Sequence, residues 1–176
     1  MHEADLSDGD HVDRLRAQWA RELPDLDTSP MAVLGRAYRL SNLVRPGIEA
    51  TFASFGIDRG EFDVISTLRR SGPPYRLAPT DLYRSLMISS GGLTHRLARL
   101  ERAGLVVRSP SVEDRRSLLV ELTEAGLALA ENAFRADMAS EMRHLAGLDE
   151  AERDMLAALL RKLLAAIEAG RPGDDG

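Results

Sequence analysis

Residues 89–116 constrain the fold more than any other part of this 176-residue chain. Their sequence, SSGGLTHRLARLERAGLVVRSPSVEDRR, predicts a Ser-capped helix, a short apolar strand and a charged turn that follow one another directly. A helix followed by a β-hairpin with a basic tip suits double-stranded DNA, because the helix fits the major groove while the tip reaches the adjacent minor groove. We therefore interpret the rest of the chain as the support of this unit.

Helical periodicity and turn residues on both sides of this stretch predict a mainly α-helical protein with a small β-hairpin. A short helix over residues 80–84, a tight turn and the longer helix form a helix-turn-helix. The apolar runs at 105–107 and 118–120 flank a Ser-Pro-Ser turn and predict the hairpin. The predicted fold is therefore a winged helix-turn-helix, with further helices at both ends of the chain.

The predicted organisation divides the chain into five parts. Residues 1–9 are expected to be disordered, 10–56 to form N-terminal helices, 57–122 the DNA-binding domain, 123–169 the C-terminal helices and 170–176 a tail. The last helix has a broad apolar stripe, formed by Met155, Leu156, Leu159, Leu160, Leu163, Leu164 and Ile167. This excess favours a homodimer built from the terminal helices, and the alternative is a bundle within one chain.

Capping residues predict where the helices begin. Asp58 and Glu61 have capping-box spacing, and Asp149 precedes a helix that ends near residue 169. A first amphipathic helix is predicted over residues 11–23, and Ser29 is the expected N-cap of a second helix that Pro46 kinks.

The net charge of −5 hides an uneven distribution of charge. Residues 69–116 hold ten arginines and four acids, whereas the rest of the chain holds thirteen basic and twenty-four acidic residues. A basic segment on an acidic body offers phosphate contacts while limiting non-specific binding.

Several classes of site are excluded by what the sequence lacks. The absence of cysteine rules out disulfides and thiolate metal sites, and the four scattered histidines have no metal-ligand spacing. No nucleophile–base pair or phosphate-binding glycine fingerprint is recognisable, so we expect neither an enzyme nor a cofactor. The acidic N-terminus has no signal-peptide features, and no stretch of ~18 apolar residues spans a membrane, so a cytoplasmic location is expected.

Polar side chains of the helix over residues 89–102 are the expected DNA-reading groups. Ser90, Thr94, His95 and Arg99 are predicted to face the major groove, because arginine pairs with guanine and the others serve bases or phosphates. Arg102 is expected to contact a phosphate.

A series of motifs along the chain carries a family resemblance. They are EFDV at 61–64, LRR at 68–70, SSG at 89–91, THR at 94–96, RLE at 99–101, GLV at 104–106, DRR at 114–116 and LT at 122–123. With these motifs the chain resembles the MarR family of bacterial winged-helix regulators over residues 31–169. The resemblance implies a dimeric, ligand-responsive repressor on a palindromic operator. It also implies that Arg116 enters the minor groove, with Arg115 as the alternative, and that Asp114 supports the wing.

A narrower resemblance concerns the N-terminal helix, which carries the only tryptophan, Trp19. Urate-responsive members of the family have such an extra helix, and the resemblance implies that urate binds between Trp19, Asp63, Arg96 and Arg108. The chemistry is consistent, because paired guanidinium donors suit a flat anion and an indole covers an aromatic face. Since Arg96 belongs to the recognition helix, its movement would couple the ligand to DNA binding.

Other interpretations of these residues remain open. Trp19 fits a core position, Asp63 and Arg96 fit a structural ion pair, and Arg108 fits a solvated strand end. The signal could equally be a phenolic or other aromatic carboxylate in the same crevice. The remaining alternative is a helical interaction protein that responds to no small molecule.

Overall fold

The computed structural model describes residues 9–87, 92–110 and 118–170, and it confirms a mainly helical chain with a small sheet. The elements are α1 (His11–Glu22), a π-helical turn (Met31–Gly35), α2 (Arg36–Ala53), α3 (Arg59–Arg70), β1 (Arg76–Leu77), α4 (Pro79–Ser85), α5 (Leu93–Arg102), β2 (Val106–Pro110), β3 (Leu118–Leu122), α6 (Glu124–His144) and α7 (Glu150–Ala169). Within the described ranges, no helix is long and apolar enough to cross a lipid bilayer.

The N-terminal helices are joined by an ionic contact. Asp10 and Asp13 form a capping box at the start of α1, and Arg36 at the start of α2 reaches both carboxylates at 2.8 and 2.6 Å. The expected N-cap role of Ser29 is wrong, because Asp27 accepts hydrogen bonds from the backbone N–H and the hydroxyl of Ser29. The α-helix α2 continues through Pro46 to Ala53.

The helix-turn-helix is formed by α4 and α5 on the support of α3. The predicted capping box of Asp58 and Glu61 is present at the start of α3. α4 has Pro79 in its first turn, and its Leu82 is fully buried. Helix α5 begins at Leu93, later than predicted, and the predicted serine cap lies outside the described residues.

The predicted hairpin is confirmed, and a third strand joins it. β2 pairs with β3 in antiparallel register, from Val106 opposite Leu122 to Pro110 opposite Leu118. The two-residue strand β1 pairs with the other edge of β3, which gives the order β1-β3-β2. Sequence patterning missed β1 because two residues are too few to show strand alternation.

The core lies where α3, α5 and the sheet meet α6. Val64, Ile65, Leu68, Leu100 and Val120 are among its fully buried side chains. α6 contributes Ala130 and Ala133, small residues that let its backbone approach α3 closely. This core places α5 with one face inward and one face free of the body of the protein.

The last helix, α7, lies outside this core. Asp149 and Glu152 form its capping box, as the spacing of Asp149 predicts for its start. None of its residues is buried within the chain, although Met155, Leu159 and Leu164 are strongly exposed apolar side chains. Such a continuous exposed apolar stripe is typical of an interaction surface.

The junction of α6 with α5 leads to a prediction about Gly126. A Cβ at this position would overlap the backbone carbonyl of Leu105, so Gly126→Ala should lower the free energy of unfolding by about 1–3 kcal/mol in urea titrations. Gly147→Ala is the matched control, because nothing lies within 4 Å of its Cβ position. Equal stability of the two variants would contradict the close approach.

Candidate DNA-binding face and crevice

Helix α5 separates into an inner and an outer face. Leu93, Leu97 and Leu100 are buried at spacings of four and three residues, as one helical face requires. Thr94 and His95 are exposed beyond them, at the N-terminal end of the helix. Exposure at this end of the helix agrees with the predicted contact of the two side chains with base edges, which stays a prediction.

The predicted DNA-reading set is only partly within the described chain. Thr94, His95, Arg99 and Arg102 lie on α5 and are exposed. Ser90 lies outside the described residues, as do Asp114, Arg115 and Arg116 of the wing. Their roles stay predictions.

Arg99 is tied to α3 in this structure. Its Nη1 lies 3.2 Å from Asp58 Oδ2, and its Nε lies 2.9 Å from Glu61 Oε1. The side chain of Glu61 is 3% exposed, whereas that of Arg99 is 43% exposed. Arg99 therefore supplies a cation to a buried carboxylate, and it fastens the recognition helix to the N-terminus of α3.

Arg102 lies one turn further along α5 than Ala98 and remains at the surface. Its Nε donates a hydrogen bond to the Ala98 carbonyl, 3.2 Å away, within the same helix. The side chain is thereby folded along its own helix, with its charge still available to solvent and to phosphate.

Asp63 and Arg96 lie on adjoining faces of α3 and α5. Asp63 is 5% exposed, and its Oδ1 accepts a hydrogen bond from the Met87 N–H at 3.1 Å. The guanidinium of Arg96 lies against Gly60, where a Cβ would overlap it. Because Gly60 and Asp63 are one helical turn apart, Arg96 lies beside the face that carries Asp63.

The other two residues of the predicted urate set lie elsewhere. Arg108 is on β2, with its Nε 3.3 Å from Glu101 Oε2, so it is not simply a solvated strand end. Trp19 is on α1 and is 46% exposed, so it is not a core residue of the single chain. Neither residue lines the crevice beside Asp63.

That crevice has a volume of about 1090 Å³ and lies between α2, α3 and α6. Phe52, Phe62 and Phe134 form part of its apolar wall, and Phe52 stacks on Phe62 with ring centroids 4.1 Å apart. Asp63 and Arg69 bring charge to its lining. An apolar crevice with a few polar groups is the usual form of a small-molecule site.

Sequence reasoning missed Asp137 of α6, which also lines the crevice. It is 6% exposed, and its Oδ1 has no hydrogen-bond partner among the described residues. Burial raises the pKa of its carboxyl, the charge of Glu141 adds to the rise, and Arg59 opposes it. The available signal was an acid in a buried stripe, which also contains Ala130, Ala133 and Ser140.

The Arg99 contact predicts a loss of stability on truncation. Arg99→Met leaves Glu61 buried without its cation, so the free energy of unfolding should fall by about 1–3 kcal/mol. Arg102→Met, which removes a charge from the same helix without uncovering a buried acid, is the control and should change it by about 0.5 kcal/mol or less. Urea unfolding measures both, and equal losses would contradict the role assigned to Arg99.

The raised pKa of Asp137 predicts a pH dependence. The folded chain retains a proton that the unfolded chain releases near the ordinary pKa of 3.8, so this group's contribution to stability falls as pH rises through the raised value. The Asp137→Asn variant has no carboxyl at this position, so its stability does not fall with pH in this way. The melting temperature of the variant minus that of the unmodified chain should therefore grow as the pH rises from about 4 to about 7.5. A constant difference would contradict the shift.

Comparison with known proteins identifies the fold and the family. A family model described as MarR family matches residues 55–117. The HTH-type transcriptional regulator PecS of Dickeya dadantii is 39% identical over 146 residues, which are 83% of this chain and 88% of that protein. The HTH-type transcriptional repressor Rv2887 of Mycobacterium tuberculosis is 31% identical over 137 residues, 78% and 95% of the two chains.

A solved structure shows the same fold. The crystal structure of a cysteine-to-serine variant of MarR from E. coli, complexed with operator DNA, matches with a TM-score of 0.64 and 26% identity, covering 83% of this chain and 97% of that chain. Together with the identity to PecS over most of both lengths, this assigns the exposed α5 and the hairpin to a DNA-binding protein and not to an enzyme. The chain belongs to the MarR family of winged-helix transcriptional regulators.

Proposed function

We propose that this regulator binds a palindromic operator as a homodimeric repressor and is released from it by urate or a related purine anion. The observation that carries the DNA half of the proposal is the outer face of α5, where Thr94 and His95 are exposed beside a buried leucine stripe. The relative from M. tuberculosis is named a repressor, and the MarR variant of E. coli was crystallised on operator DNA. These relatives support the same role here.

The proposed dimer is supported by apolar surface that the single chain does not bury. α7 has no buried residue, and Met155, Leu159 and Leu164 project from it. Leu34 and Tyr38, near the start of α2, are also strongly exposed. A two-fold symmetric partner would cover such surfaces from both chains at once. Two copies of α5 would then meet two half-sites related by the same symmetry.

The urate response is supported by the chemistry of three residues. Asp63 is buried beside the crevice, and the guanidinium of Arg96, on α5, lies against Gly60, one helical turn before Asp63 on α3. A guanidinium donates paired hydrogen bonds to a flat anion, and the half-exposed indole of Trp19, which lies on α1 outside the crevice, is an apolar face of the kind that covers an aromatic ring. Because Arg96 belongs to α5, an anion that draws it toward Asp63 would shift the DNA-reading helix.

Footprinting on the DNA beside its own gene tests the proposal. The unmodified chain should protect two symmetric half-sites whose centres are about 10 base pairs apart, and millimolar urate should remove the protection. Arg96→Gln removes the guanidinium that the proposal assigns to the anion, so it should still bind DNA but need about tenfold more urate.

Salicylate at the same concentration is the matched control for the signal. Release by salicylate and not by urate would replace the purine anion with an aromatic carboxylate. Full protection at millimolar urate would overturn the ligand half of the proposal, and no protected site would overturn the DNA half. The salt concentration must be constant throughout, because phosphate contacts make the affinity salt-dependent.

A further inference from the structure

The guanidinium of Arg69 joins two parts of the molecule that are far apart in the sequence. Arg69 lies in the last turn of α3, within the LRR motif at residues 68–70, which neither the DNA-reading set nor the urate set uses. Its Nε and Nη2 lie 2.9 and 2.8 Å from Glu131 Oε1 of α6. Its Cζ lies over the ring of Tyr75, 5.0 Å from the ring centroid. One cation is therefore shared between α6 and the segment that leads from α3 to β1.

Tyr75 is held in an unusual backbone conformation at the start of β1. Its φ of 59° is in the left-handed region, which residues other than glycine rarely adopt. Its N–H donates to the Gly72 carbonyl at 2.7 Å, and its carbonyl accepts the Leu122 N–H of β3 at 3.1 Å. Its partly buried ring packs against the core and under the guanidinium of Arg69. Such a conformation persists where the surrounding contacts hold it, and these contacts are the ones that hold Tyr75.

The strand that follows Tyr75 belongs to the sheet of the winged helix. β1 has two residues, Arg76 opposite Glu121 and Leu77 opposite Val120, both on β3. A strand this short makes few ladder hydrogen bonds, so its place on β3 depends on the residue that precedes it. The other edge of β3 pairs with β2, and these two strands form the hairpin that is expected to contact DNA. Tyr75 therefore connects the end of α3 with the hairpin.

The contact between Arg69 and Glu131 is suited to fixing an orientation. The two side chains are each 40% exposed, and an ion pair of this exposure contributes little to global stability because water screens it. Two nitrogens bound to one carboxylate oxygen nevertheless restrict the plane of the rigid guanidinium. A cation above an aromatic face is attracted to that face. The guanidinium, held by Glu131, thus holds the ring of Tyr75 in place.

We propose that Arg69 is a positioning residue for DNA binding. Through Tyr75 it holds β1 on β3, and it thereby sets the direction of the hairpin relative to α3 and α5. In this role the guanidinium contacts Glu131 and Tyr75 and no part of the DNA. The proposal rests on the DNA half of the proposed function and is independent of the urate response.

Amide hydrogen exchange, measured by NMR on the intact chain without DNA, tests the hold on the sheet. In Arg69→Met, which keeps the apolar stem, the Leu122 amide should exchange at least about fivefold faster, and the Leu100 amide of α5 should change by less than about twofold. Arg69→Lys keeps a cation and should restore part of the protection. Tyr75→Leu should behave like Arg69→Met, whereas Tyr75→Phe, which keeps the ring, should match the unmodified chain.

Footprinting on the DNA beside its own gene tests the consequence for binding. At constant salt, Arg69→Met and Tyr75→Leu should each bind about tenfold more weakly. Protection of the minor groove from hydroxyl radicals should be lost to a greater extent than protection of major-groove guanines from methylation, because α5 keeps its place on α3. Arg135→Met removes an exposed arginine of α6 and is the matched control, with an expected change of less than about twofold.

Several results would overturn the role of Arg69. They are an unchanged Leu122 exchange rate in Arg69→Met, an equal acceleration at Leu100, and a Tyr75→Phe variant that binds DNA as weakly as Tyr75→Leu. If Arg69→Met does not fold, as circular dichroism would show, the comparison of the two Tyr75 variants decides. Absence of any protected DNA with the unmodified chain would overturn the DNA half of the proposed function. Normal affinity of Arg69→Met for DNA that the unmodified chain protects would overturn only the positioning role.

Discussion

The buried carboxylate of Glu61 is the interaction on which the DNA-reading part of the molecule depends. It accepts the Asp58 N–H at 2.9 Å and so completes the start of α3, and it lies 2.9 Å from the Arg99 Nε of α5. One acid therefore fixes both the beginning of the supporting helix and the angle of the recognition helix. Removing its cation would leave a desolvated charge at the contact between them.

Much of the fold could be predicted because the residues that begin and end its helices and strands act on their neighbours in the sequence. The capping boxes at Asp58 and Asp149 and the hairpin strands are set by neighbouring residues, and the structure has them where the spacing indicates. The features that were missed depend on tertiary partners. β1 exists only because β3 offers it an edge, and Asp27 rather than Ser29 provides the hydrogen-bond acceptor before the second helix.

The candidate site also has features that could be predicted from the sequence and features that could not. Sequence motifs single out Asp63 and Arg96, and the fold brings their faces together through Gly60. Exposure on α5 could be predicted from periodicity, but the commitment of Arg99 to Glu61 could not, because it joins residues on two helices that only packing brings together. Asp137 could not be predicted either, because a single acid in a helical sequence does not show that its side chain is buried without a hydrogen-bond donor.

The start of α6 gives the molecule a mechanical property. Thr123 accepts the Gly126 N–H at 3.0 Å and donates to the Gly104 carbonyl at 2.7 Å, while its own N–H donates to Leu105 at 3.1 Å. These hydrogen bonds hold the start of α6 against the end of α5, and the helix extends from there for 21 residues. At 1.5 Å per residue α6 is about 31 Å long. A tilt of about 5° at its N-terminus would therefore displace its C-terminal end by about 3 Å. The helix that forms one wall of the crevice is therefore joined at Thr123 to the end of α5.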